Sequence, residues 1–97
     1  MRPFAIVDNG GGTVSPKLIT FTIESTDYQA EEGMTWREFV DSEYNAYNRV
    51  SANGTSGLVY FDGISYNVTN SNNSPDYVYA SDVIQSTTYY LYSERPD

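Results

Sequence analysis

The chain has 97 residues, 13 Asp and Glu against 5 Lys and Arg, a formal charge of −8, and neither Cys nor His. That length makes one domain with no room for a second catalytic lobe, and the negative charge disfavours direct contact with a nucleic-acid backbone. Without Cys there is no disulfide, thiolate metal site or thiol nucleophile, and without His the commonest general base and metal ligand is gone, so neither catalysis nor a cofactor is expected.

Residues 1–16 read as a flexible N-terminal arm. Phe4-Ala5-Ile6-Val7 is a short apolar tetrad, too short for a secretory signal core, tethered by Asn9-Gly10-Gly11-Gly12. The glycine run lacks the Gly-Lys-Ser/Thr ending of a phosphate loop. No apolar run nears the ~20 residues of a membrane span, so no insertion is expected and the chain reads as soluble and made in the cytosol. The arm is expected to fold back on its own domain or to add to a neighbour's sheet edge, which makes Phe4 and Ile6 candidate contact residues.

The main domain is expected over 17–93. Lys17 to Glu24 alternates Ile19, Phe21 and Ile23 with Thr20, Thr22 and Glu24, the period of a half-buried strand. Ser25-Thr26-Asp27 reads as a turn, and Tyr28 to Glu31 as a returning strand with Tyr28 and Ala30 inward. Thr35 and Glu38 have the spacing of a capping box. Trp36, Phe39, Val40, Tyr44 and Tyr47 then form one apolar stripe, predicting an amphipathic helix from Trp36 to about Tyr47 with Trp36 as its core anchor.

Ser51 to Gly57 reads as a loop and Leu58 to Phe61 as a strand. Asp62-Gly63 has the signature of a two-residue type I′ turn leading into a partner strand, Ile64 to Val68. Thr69 to Pro75 reads as an exposed loop and Tyr77-Val78-Tyr79 as a short extended piece. Ser81 to Ile84 reads as a tight turn or one helical turn, with Val83 and Ile84 plugging the core. Thr87 to Tyr92 is the last strand, and residues 94–97 are a charged tail.

The motifs FTIESTDYQAEEGMTWREFV and SDVIQSTTYYLY give residues 17–92 the element order of a β-grasp (ubiquitin-like) domain, and the chain resembles that family. The resemblance implies an α+β fold, a mixed sheet of four to five strands packed on one α-helix, with first and last strands parallel neighbours at its centre. The family's chemistry does not carry over. Its sulfur carriers need a terminal Gly-Gly where this sequence ends Arg95-Pro96-Asp97, and its ferredoxins need four Cys. The stretch TFTIESTDYQAEEGMTWREFVDSEYN also looks like small hairpin–helix modules of phage-encoded structural proteins and bacterial surface proteins.

Ten tyrosines stand out in so short a chain. Strand propensity explains most of them, but neighbours such as Tyr89 and Tyr90 point to opposite faces and one helix covers only one. The expected contact surface is therefore the face opposite the helix, with Tyr90 and Tyr92 beside Thr20 and Thr22 on an adjacent strand. The expected function is a non-enzymatic structural module of virion-accessory or capsid-decoration type, binding a second copy or a capsid protein through this face and the arm. The competing expectation is an acidic inhibitor that docks Glu31, Glu32, Glu38, Asp41 and Glu43 on a host nucleic-acid-binding enzyme. Two carboxylate-based readings are weaker. A glycosidase pair would need a cleft, and Asn70 to Asp76 lacks the pattern of a calcium loop.

Overall fold

The computed structural model describes residues 17–73 and 75–93. The expected arm, with Phe4 and Ile6, and the tail 94–97 lie outside these described residues.

Alternation makes Leu18–Ile23 a strand, β1, with Phe21 and Ile23 buried. A two-residue turn, Glu24-Ser25, brings the chain back as β2 (Thr26–Glu31), and Ile23 lies opposite Thr26. The turn comes one position earlier than expected because Glu24 accepts a left-handed backbone, φ 55°. Tyr28 and Ala30 point inward as expected. A helix, α1 (Trp36–Val40), follows. After a 3₁₀ turn at Ala46–Asn48 come β3 (Val50–Ala52), β4 (Val59–Phe61), β5 (Tyr66–Thr69) and β6 (Thr88–Tyr92).

The six strands form one sheet in the order β2-β1-β6-β5-β4-β3. β1 and β6 are parallel central neighbours, Thr22 opposite Thr88 and Ile23 opposite Tyr89, and the other pairings are antiparallel. The sheet curls into a half-barrel. This corrects the expected β-grasp arrangement of four to five strands on one long helix: the described fold is mostly sheet, with one helix of five residues.

The helix is short for a local reason. Thr35 and Glu38 form the expected capping box, the Thr35 hydroxyl accepting from Glu38 N–H and Glu38 Oε1 from Thr35 N–H. At the other end, Ser42 Oγ donates to the Phe39 carbonyl at 2.7 Å and Asn45 Nδ2 to the Val40 carbonyl at 2.9 Å. Side-chain donors thus take carbonyls that a continuing helix would have used. Tyr44 and Tyr47, expected on the apolar stripe, therefore leave it. Tyr44 is half-buried, while Tyr47 is 93% exposed at φ 60°.

Three other expectations are corrected. Val50–Ala52, next to and partly within the expected loop, is a strand, because Val50 and Ala52 find Phe61 and Val59 opposite them. Asp62 and Gly63 do adopt left-handed φ, 61° and 74°, but strand pairing resumes only at Tyr66, so the loop has four residues and Ile64 is exposed. Of the pair expected to plug the core, Ile84 is buried and Val83 is not.

The extended piece around Val78 acts as a wedge. β4 and β5 pair only at Tyr60–Asn67 and Phe61–Tyr66. Beyond that point Val78 enters between them, accepting from Val59 N–H and donating to the Val68 carbonyl, each at 3.0 Å. The chain then caps α1: Trp36 N–H donates to Asp82 O and Arg37 N–H to Ala80 O, two of the donors that a helix start leaves unpaired.

Inside the curl, Phe21 packs on Tyr28, Trp36, Phe39 and Tyr89 with centroids 5.3–6.1 Å apart. Three of these contacts are edge-to-face, the arrangement that ring quadrupoles favour. Trp36 is fully buried, as its place in the stripe implied.

Candidate interaction surface

Register and alternation decide which side chains reach the outer face, away from the aromatic core. Tyr92 lies opposite Asn67 and Asn67 opposite Tyr60. Tyr90 lies opposite Thr69, which bridges to Tyr77, and Tyr79 lies opposite Leu58. Five tyrosines, at 60, 77, 79, 90 and 92, therefore share one side of β4, β5, β6 and the wedge. The small polar residues between them, Asn67 and Thr69, are buried. Thr69 Oγ1 donates to the Tyr90 carbonyl at 3.1 Å, and the Tyr77 and Tyr92 rings meet edge-on with centroids 6.2 Å apart. Tyr60 is buried, Tyr77, Tyr90 and Tyr92 are half-buried, and Tyr79 is 43% exposed.

This surface contains two of the sequence-predicted residues and separates them from two others. Tyr90 and Tyr92 lie on the outer face as expected. Thr20 and Thr22 share that face, but β1 meets β6 only at Thr88 and Tyr89, so the threonines lie beside Thr88 and the tyrosines beside β5. Thr20 is exposed, and Thr22 Oγ1 donates to Asp27 Oδ1 at 2.8 Å. Tyr60 joins the surface through β4, opposite Asn67, and Tyr77 and Tyr79 join it through the wedge. The signal for Tyr77 and Tyr79 was the Tyr-Val-Tyr alternation itself, which puts two rings on one side.

The acidic residues are distributed differently. Glu31 Oε2 accepts from the Tyr44 hydroxyl at 3.0 Å, Glu38 serves the capping box, and Asp41 holds Arg37 at 2.9 Å. Glu32 faces Lys17 at 3.8 Å and Glu43 is exposed. Four of the five carboxylates thus have partners within the fold.

Three phenols are held above their ordinary value of 10.0. For Tyr44 the main cause is its hydrogen bond to Glu31, followed by desolvation and the charges of Glu31 and Glu43. Burial raises Tyr28, partly opposed by Arg49, and burial raises Tyr89, partly opposed by the Gln85 N–H donated to its oxygen. Among the described residues, no group of three His, Cys, Asp or Glu side chains is placed to hold a metal, and no helix is long and apolar enough to cross a membrane. No protein-family model matches the chain, and no curated protein or solved structure matches it.

Proposed function

We propose that this chain is a non-enzymatic interaction module that binds a protein partner through the tyrosine-bearing outer face, as an accessory part of a larger assembly of the phage-virion kind. The observation that carries this reading is the row of Tyr77, Tyr79, Tyr90 and Tyr92, each with part of its ring open, fixed on paired strands. Tyrosine on a rigid backbone suits this task. It offers a large amphipathic contact and has little side-chain freedom to lose on binding. The virion setting rests on the sequence resemblance alone. The acidic-inhibitor reading has less support, because most carboxylates of its docking face already serve local bonds.

The test compares the parent protein with Tyr79→Ser/Tyr90→Ser and Tyr90→Ser/Tyr92→Ser. Truncating an interface anchor of this kind costs about 2 kcal/mol of binding. Self-association by sedimentation, and capture of assembly components identified by mass spectrometry, should both be read. The proposal expects the double variants to lose one of these while remaining folded. Unchanged self-association and unchanged capture would refute it. Loss of capture on adding moderate salt, with the tyrosine variants unaffected, would instead favour the acidic face.

A further inference from the structure

The two edges of the sheet are finished differently. At the β3 edge, Tyr60 takes the bonding groups of Ser51, which turns the N–H and C=O of Val50 outward. The Asn45 side chain meets both: Oδ1 accepts from Val50 N–H at 3.1 Å and Nδ2 donates to the Val50 carbonyl at 2.9 Å. A side-chain amide thus stands where a further strand would pair.

The β2 edge has no such cover among the described residues. Glu32 N–H donates to Lys17 O at 2.7 Å, which fixes the phase of the ladder: Thr26, Tyr28 and Ala30 bond to β1, and the groups of Asp27, Gln29 and Glu31 turn outward. Met34 N–H takes the Glu31 carbonyl. Asp27 and Gln29 keep both groups, and with the Glu31 N–H the edge presents three N–H and two C=O groups in strand spacing. Beside them runs an open groove of ≈ 290 Å³ lined by Thr20, Asp27, Tyr28, Gln29, Tyr44 and Ala46.

Charge narrows the occupant. No Lys or Arg is among the residues lining the groove; Lys17 faces Glu32 and Arg37 faces Asp41, while Arg49, whose charge reaches the Tyr28 hydroxyl, is paired with Asp62. Asp27 lines the groove, Glu31 binds the Tyr44 hydroxyl at its wall, and Glu43 acts on that same hydroxyl. A second copy pairing edge to edge would set these carboxylates against their own kind, which is how charged edges resist self-pairing.

From this geometry we infer that the β2 edge receives an extended basic segment of a partner protein, added as a seventh strand. Its backbone pairs with Asp27 and Gln29. Alternate side chains point two ways: Lys or Arg toward Asp27 on the outer side, and small apolar residues toward Tyr28, Tyr44 and Ala46. This surface is separate from the tyrosine face, and the inference stands without the function proposed above.

The probe is the blocked peptide Lys-Val-Lys-Val-Lys-Val-Lys, added to the full chain and followed by NMR shifts and amide hydrogen exchange. Binding should protect the Asp27 and Gln29 amides and weaken as salt rises. Methylating the backbone nitrogens on either edge of the peptide, one edge at a time, should weaken binding about tenfold for the edge that pairs, since that removes strand hydrogen bonds and leaves the charge. Gln29→Pro should weaken it comparably, because it deletes an outward N–H without touching the β1 ladder. Asp27→Lys, a milder surface change, should weaken it through charge and guards against misfolding of the proline variant.

Three results overturn the inference. One is no binding at the highest soluble peptide concentration. Another is equal binding by both methylated peptides, which means attraction to an acidic surface only. The third is protection of Asp27 and Gln29 in the free protein, which means that a second copy or the chain's own N-terminal segment already holds the edge.

Discussion

Asn45 holds together two elements that share no continuous secondary structure. Its side chain caps the Val40 carbonyl at the end of α1 and clips the exposed edge of β3 at Val50, and it is buried while doing so. Asn45→Ala leaves those groups unpaired, and the expected loss is about 3 kcal/mol, read as a lower urea midpoint with unchanged slope. Asn45→Asp should lose nearly as much, because a carboxylate accepts from Val50 N–H but donates to neither carbonyl. The Tyr44–Glu31 bond makes a second prediction, with a definite sign. Tyr44, Tyr28 and Tyr89 all hold their protons more tightly folded than unfolded. Their contribution to stability is therefore complete below the unfolded phenol value of about 10 and is lost as pH rises through the folded values above it. Glu31→Gln removes the main cause at Tyr44. The titration of its ring, followed by NMR of labelled tyrosine, should move down toward the ordinary value while Tyr89 stays where it is. A Tyr44 titration unmoved by Glu31→Gln would show that the hydrogen bond is not what holds the phenol.

At the scale of elements, α1 is too short to be stable by its own backbone and must be held by packing. Losing its cap in Thr35→Ala should cost about 1 kcal/mol. Losing its buried anchor in Trp36→Ala should cost about 4 kcal/mol, and thermal unfolding of the two variants orders them. If the cap variant proved the more damaging, the helix would be held by its end and not by its face. The same contrast explains what was legible in the sequence. Trp36 and Phe39 were read correctly, because capping box and stripe agree there and both depend on near neighbours. Tyr44 and Tyr47 matched the stripe only by arithmetic, continuing a period across Ser42 and Asn45, whose side chains break it by taking backbone carbonyls. The edges of β1 and β6 were legible from alternation over five or six residues. β3 was not: three residues carry too little pattern, and Val50–Ala52 becomes a strand only because β4 lies beside it. For the candidate surface, the outward parity of Tyr90 and Tyr92 could be read from the sequence. Their neighbours could not, since these depend on the register of β6 with β1 and β5 and on a wedge formed by residues distant in the chain.

At the scale of the molecule, the described residues form two antiparallel pieces joined along one seam. β1 with β2 is one hairpin, and β3, β4 and β5 form a meander. β6 lies between them, antiparallel to β5 and parallel to β1. The parallel side is narrow, two registered pairs reinforced by Ser86 Oγ donating to the Thr20 carbonyl and by Leu91 N–H donating to Glu24 Oε2. Those two bonds join residues 66 and 67 positions apart, so the seam closes only after a long loop has been ordered. β6 also brings the Tyr89 ring to the core, against Trp36 and Phe21. Neither piece therefore has a complete hydrophobic face without it, and a two-stranded hairpin alone is marginal in water. A chain ending at Ser86 keeps both pieces and deletes the strand between them. It should show no cooperative thermal transition in near-ultraviolet circular dichroism, where the clustered aromatic rings of the intact core give a sharp one. Adding the missing strand in trans as a peptide covering 87–93 should restore the signal, because the groove it leaves is lined by the bonding edges of β1 and β5. A sharp transition in the truncated chain alone would mean that the hairpin and the meander close on each other without β6, and the seam would then not be the element that makes them one fold.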